Sequence, residues 1–240
     1  MRSMNLPVVV FCLISFAANA EDGWIEDFEL AKSRAAKESK DILIDFTGSD
    51  WCGWCIKLNQ EVFEQPVFRA EAPKKYVLLQ LDFPRHKGQS ATLRKQNQEL
   101  AQKYSVEGYP CIIIADSTGR LIGRAGYEAG GDRKFLRQLA RLKLSDLVNQ
   151  HLDVRDPDGA STIIDDFIKE NTMESAERQE VLYMKAVAMS TTGDELKTIS
   201  ALNAAYEADP NTEGGKRIAE ITESVKKKHA AAHSPDGAGK

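Results

Sequence analysis

Trp51-Cys52-Gly53-Trp54-Cys55 is the stretch on which the reading of this 240-residue chain turns. A strand-like apolar run, Ile42-Leu43-Ile44-Asp45-Phe46, leads into it, and Ile56-Lys57-Leu58 continues the helical segment that follows. Two thiols three residues apart, at the first turn of a helix, can close a small disulfide and reopen it. The first sulfur, on Cys52, would sit beside unpaired backbone N–H groups at the positive end of the helix dipole. That position stabilises a thiolate and can lower a cysteine pKa from about 8.5 to roughly 3.5–7.5. The thiolate is the species that attacks disulfides. Cys55, one turn further in, is expected to be more buried and to act as the resolving thiol.

A Cys-x-x-Cys is also half of a zinc site, which needs a second Cys or His pair at suitable spacing. Downstream stand only Cys111 and the scattered His86, His151, His229 and His233, so neither a metal nor an organic cofactor is expected. As a purely structural staple the pair would close a very short loop and contribute little. Redox chemistry is the favoured reading.

With Asp45-Phe46 before it and Gly108-Tyr109-Pro110 after it, the motif resembles the thioredoxin fold family, in particular the thioredoxin-like domains of secreted bacterial disulfide-exchange proteins. The likeness runs from about Trp24 to Leu147. It implies a mixed sheet flanked by helices, an α/β fold. It also implies that Asp45 lies beneath the buried cysteine and moves the proton on and off the resolving thiol, with a pKa raised by burial. Asp45 matches that place with one extra residue in the loop Thr47-Gly48-Ser49-Asp50. Many thioredoxins face this aspartate with a lysine, whereas the best-aligned positions here, Leu78 and Leu79, are apolar. Pro110 is expected to take a cis peptide bond, a form accessible almost only before proline. Trp51, Gly53, Trp54, Tyr109 and Pro110 would then border the substrate groove. Cys111, directly after that proline, reads either as a small core hydrophobe or as a third redox-active thiol.

Periodicity predicts helices over about Trp24–Ser39, from the motif to Glu64 with a break at Pro66, over Ala91–Tyr104 and over Asp132–Leu147. Strands are expected at Asp41–Thr47, Tyr76–Phe83, Cys111–Ala115 and from Arg120 to Gly126-Tyr127. His86 reads as a solvated loop residue. Beyond Leu147 no clear strand follows. Val154-Arg155-Asp156-Pro157-Asp158-Gly159 is linker-like, and helical stretches appear near 160–169, 175–190, 194–208 and 213–228. Leu182, Ala186, Met189, Leu202, Ala205 and Pro210 resemble one tetratricopeptide-type hairpin, a unit that normally needs several copies. The expected division is a leader over 1–20, a thioredoxin-like domain over 21–148, a helical region over 149–229 and a disordered tail over 230–240.

The leader reading rests on Arg2, the apolar run Leu6 to Phe16 and the small-residue site Ala18-Asn19-Ala20, with cleavage expected after Ala20. The apolar run is too short to span a bilayer, so a periplasmic or secreted protein without stable membrane insertion is expected. Without the leader the chain carries 31 Lys and Arg against 36 Asp and Glu, a net charge of −5. That balance argues against nucleic acid or an anionic membrane as the main partner. The expected function is a secreted thiol–disulfide oxidoreductase, leaning by resemblance to a reductase or electron relay. Its partners would be protein disulfides and a membrane-bound redox donor. The rivals are a binding protein in which catalysis is secondary, a disulfide donor or isomerase, and a copper chaperone using Cys52, Cys55 and Cys111.

Overall fold

The apolar run before the motif becomes the middle of a five-stranded sheet. The protein is described here by a computed structural model covering residues 23–233. In it β2 (Asp41–Thr47) pairs parallel with β3 (Tyr76–Asp82) and antiparallel with β4 (Cys111–Ala115). β1 (Trp24–Ile25) lies parallel outside β3, and β5 (Leu121–Ala125) antiparallel outside β4, giving the order β1-β3-β2-β4-β5. The leader expected over 1–20 lies outside the described residues. Among those residues no helix is long and apolar enough to cross a membrane.

Being central, β2 is covered on both faces, which is why its sequence is a near-continuous apolar run rather than an alternating one. Pleating sends Ile42, Ile44 and Phe46 to one face, with Leu79, Leu81, Cys111 and Ile113. There α1 (Phe28–Glu38) and α4 (Ala91–Lys103) cover them through Phe28, Ala31 and Leu100. The other face carries Leu43, Leu78, Ile112 and Ile114. It meets α2 (Gly53–Leu58), a π-helical turn (Asn59–Phe63), α3 (Pro66–Lys75) and α5 (Gly131–Asp153) through Leu58, Val62, Phe68 and Leu139. Burying each such side chain is worth about 1.5–3 kcal/mol, so a one-residue slip of β2 would exchange its two faces at large cost.

Three local expectations are corrected. The first helix begins at Phe28, not Trp24, because Asp27 caps it by accepting the Leu30 N–H at 2.9 Å while Trp24-Ile25 joins the sheet. The segment after the motif ends in a π turn, and Pro66 opens a helix of its own, α3, that the pattern did not predict. Proline at the first helical position loses no hydrogen bond; a second proline, Pro73, is accommodated in the second half of α3. Finally, α5 runs past Leu147, its expected end, to Asp153.

That long helix serves two cores. Its Phe135 and Leu139 pack on the sheet, whereas Leu144 and Val148 pack with α6 (Pro157–Glu170), α7 (Ser175–Ser190), α8 (Glu195–Ala208) and α9 (Glu213–Ala232). Glu177 on α7 accepts from Arg137 Nε at 2.8 Å and Arg141 Nη1 at 2.7 Å, both on α5. α9 extends to Ala232, into the stretch expected to be disordered; from residue 234 that stretch lies outside the described residues.

Candidate active site

Cys52 caps α2. Its backbone is extended and its Sγ accepts the Cys55 N–H at 3.2 Å, while its own N–H donates to the Gly48 carbonyl at 2.9 Å. Cys52 and Cys55 are joined as a disulfide with their Cα atoms 5.2 Å apart. Both are buried, Cys55 slightly the more. When the bond opens, the Cys52 sulfur stays where the first-turn N–H groups can hold its charge.

Asp45 is buried on the sheet face that α2 covers, since it alternates with Ile44 and Phe46 on β2. Burial pushes its carboxyl up from 3.8 to about 7, partly opposed by a hydrogen bond from Gln80. The register places Gln80 directly opposite Asp45, so the residue facing the aspartate is this glutamine rather than Leu78 or Leu79. One oxygen, Asp45 Oδ1, has no hydrogen-bond partner. A buried polar atom left unpaired is costly. It is also the arrangement a carboxyl needs if it is to take up or give a proton.

The aromatic residues divide. Trp54 is 60% exposed, its ring 5.5 Å from Tyr127. Trp51 is only half-exposed: its Nε1 donates to the Phe83 carbonyl at 2.8 Å, Arg85 lies 3.7 Å over its ring, and Tyr109 meets it edge-on. A Cβ on Gly48 would come within 2.5 Å of that ring, so glycine is what lets Trp51 close against the loop. Trp51 thus forms a wall, while Trp54, Tyr109, Pro110 and Tyr127 line an open groove of about 430 Å³. The Tyr109–Pro110 bond is cis. Gly53 is exposed at the start of α2 with open space where a Cβ would be, leaving the groove clear beside the disulfide.

Two groups of residues escaped the sequence reading. Tyr127, read only as a strand end, donates to Glu61 at 2.6 Å and with Trp54 brackets Lys57. Ser49 and Asp50, in the extra-residue loop, latch the end of β3 and the chain that follows it. Asp82 accepts from the Ser49 N–H and hydroxyl at 2.9 and 2.6 Å, and Asp50 accepts the N–H groups of Arg85, His86 and Lys87 at 3.0, 2.7 and 3.0 Å. Short polar side chains that bind nearby backbone were the available signal.

Cys111 is buried, and pleating turns it to the face opposite Asp45, beside Phe46 and Tyr104. Arg124 on β5 donates to its sulfur at 3.4 Å and to the carbonyls of Tyr104 and Ser105. Burial pushes the Cys111 thiol up, Arg124 drawing it partly back, so at neutral pH it is a thiol and a poor nucleophile. The three sulfurs therefore do not share one pocket face. The residues with metal-ligand spacing, Glu195, His229 and His233, lie on the helical region instead.

A thioredoxin-like family model matches residues 23–117. Among named relatives, disulfide bond reductase DsbH of Chlamydia pneumoniae is 34% identical over 129 residues, which is 53% of this chain and 76% of that protein. Thioredoxin-related protein DsbJ of the same organism is 32% identical over 103 residues, 43% of this chain and 30% of its own length. A solved structure described as DsbH oxidoreductase aligns with a TM-score of 0.48 and 31% identity, over 50% of this chain and 83% of that one. The chain belongs to the thioredoxin-like family, as a member whose Cys52–Cys55 pair equips it as a thiol–disulfide oxidoreductase.

Proposed function

We propose that this protein works outside the cytoplasm as a disulfide reductase or electron relay. The observation that carries the reading is the Cys52–Cys55 disulfide at a helix start, on the sheet face that holds a buried and half-unpaired carboxyl. The name of the Chlamydia relative, a disulfide bond reductase, favours the reducing direction. Arg2, the apolar run Leu6 to Phe16 and Ala18-Asn19-Ala20 favour export.

In the reducing cycle the Cys52 thiolate attacks one sulfur of a protein disulfide held along the groove of Trp54, Tyr109, Pro110 and Tyr127. A Cys52–substrate bond forms as the substrate's own S–S bond breaks, and the departing substrate thiolate takes a proton. Asp45 accepts the Cys55 thiol proton, and the Cys55 thiolate then attacks Cys52 Sγ. The second substrate sulfur leaves as a thiol, and the protein keeps the Cys52–Cys55 disulfide. Two electrons have passed to the substrate. A dithiol donor, which outside the cytoplasm must draw on a membrane protein, restores the reduced pair. Trp51, held by Phe83 and Arg85, keeps the approach to Cys52 in shape. Cys111 serves as a core residue.

The test is the reduction potential of the pair, from equilibration in thiol buffers with trapping and mass spectrometry. A value near about −270 mV supports the reductase; a value near about −120 mV makes the protein a disulfide donor instead. A pair that does not cycle would move the function to client binding.

A further inference from the structure

Away from the redox site, one cluster brings ligating atoms together: an atom from each of Glu195, His229 and His233 lies within 4.8 Å of the other two. Glu195 is the first residue of α8. His229 sits in the last turn of α9 and His233 caps it, four residues on, so both imidazoles share one face of that helix. Their ring centroids are 4.3 Å apart.

The hydrogen bonds fix how these rings present themselves. His233 Nδ1 lies 2.9 Å from the His229 carbonyl oxygen, which can only accept, so Nδ1 carries the proton and Nε2 keeps its lone pair. The His233 imidazole thus has an oxygen acceptor on one nitrogen and a lone pair on the other, the arrangement that orients metal-bound histidines. His229 Nδ1 faces a Glu195 carboxylate oxygen at 2.8 Å, so these two atoms already stand side by side as neighbouring ligand atoms would, and a cation can take the place of the proton between them. With bonds of about 2.0–2.2 Å, a tetrahedral ion needs its ligand atoms about 3.4 Å apart. Closing the cluster therefore asks for side-chain rotation alone, and His233 is exposed and Glu195 half-exposed.

We propose that Glu195, His229 and His233 form a site for a divalent transition-metal ion of the zinc type, with a fourth position open to water. Two imidazoles and a carboxylate suit such an ion, whereas Cu(I) prefers the sulfur ligands that this cluster lacks. A bound ion fastens the end of α9 to the start of α8. The site shares no residue with the redox centre and does not depend on the function proposed for it.

The experiment is a calorimetric titration of Zn²⁺ into the full, oxidised protein, in which Cys52 and Cys55 offer no thiolate. One saturable equivalent per chain is expected, with a rise in the melting temperature. His233→Ala removes an exposed side chain and leaves the packing intact; it should weaken binding by at least about tenfold and abolish the thermal shift, and Glu195→Gln should weaken it as well. No saturable binding overturns the site. So does binding that survives both substitutions, or that disappears in Cys111→Ala while His233→Ala retains it.

Discussion

The two faces of the central sheet are built from alternate residues of the same strands, yet they differ in kind. The face under α1 and α4 carries Ile42, Ile44, Phe46, Leu79, Leu81 and Ile113, and its lone sulfur, Cys111, is held by Arg124. The face under α2, α3 and α5 is equally apolar at Leu43, Leu78, Ile112 and Ile114, but Asp45 and Gln80 interrupt it. A fold needing only burial would make both faces like the first, since a buried carboxyl weakens the structure. The polar pair lies on the face covered by the helix that bears the two cysteines. In the proposed cycle, the stability given up there serves proton transfer.

Removing what that chemistry serves should have the largest effect. Cys52→Ser should reduce insulin-type disulfide turnover to the uncatalysed background, while its fold and groove persist; appreciable residual turnover would remove Cys52 from the nucleophile's place. Next comes Asp45→Asn, which should slow resolution of the mixed disulfide by about a hundredfold near pH 7, read by trapping the intermediate. The same change should stabilise the protein, and the sign follows from the raised pKa. Folding lifts the carboxyl from 3.8 to about 7, so the folded state binds the proton more tightly. Stability therefore falls as pH rises from near 4 through 7, by on the order of 4 kcal/mol in the limit of full burial. Urea melts should find Asp45→Asn more stable by roughly 2 kcal/mol at pH 8 and little changed at pH 4. Equal effects at both pH values would mean that Asp45 does not titrate in this window.

The apolar face should respond in the opposite sense. Cys111→Ala should cost about 1 kcal/mol of stability through lost packing, with turnover and reduction potential unchanged. A loss of turnover like that of Cys55→Ser would give Cys111 a part in the redox cycle.

How much of this contrast could be read beforehand depended on how local its cause was. The motif, the strand before it, the Gly108-Tyr109-Pro110 turn and the helices of the second half each carry their signal within a few residues, and each was legible. Asp45 was legible as an anomaly in an apolar run. Its partner was not: pairing Gln80 with Asp45 depends on the register of β2 against β3, and periodicity within one strand leaves that register open. The same limit hid Tyr127, which meets Trp54 across the fold, and the latch from Ser49 and Asp50 to residues more than thirty positions away. Glu195 and the two histidines were separated in the same manner, by 34 residues at the closest. α3 was lost for another reason, because Pro66 was read as a break when it stands at the start of a helix.

The smallest expected effect tests that unread partner. Burial is the main reason Asp45 holds its proton, and the Gln80 hydrogen bond acts against it by favouring the carboxylate. Gln80→Leu removes the donor and adds apolar surface, so both changes raise the Asp45 pKa above its present value. The lost hydrogen bond should cost about 1 kcal/mol. The pH–rate profile for mixed-disulfide resolution should keep its shape while its rising limb moves to higher pH, because the carboxylate that accepts the Cys55 proton forms later. At pH 8.5 and above the variant should approach the wild-type rate, unlike Asp45→Asn, which has no carboxylate to recover. A profile that does not move would separate Gln80 from the proton step and leave Asp45 governed by burial alone; a profile that moves to lower pH would show that Gln80 had been stabilising the protonated acid.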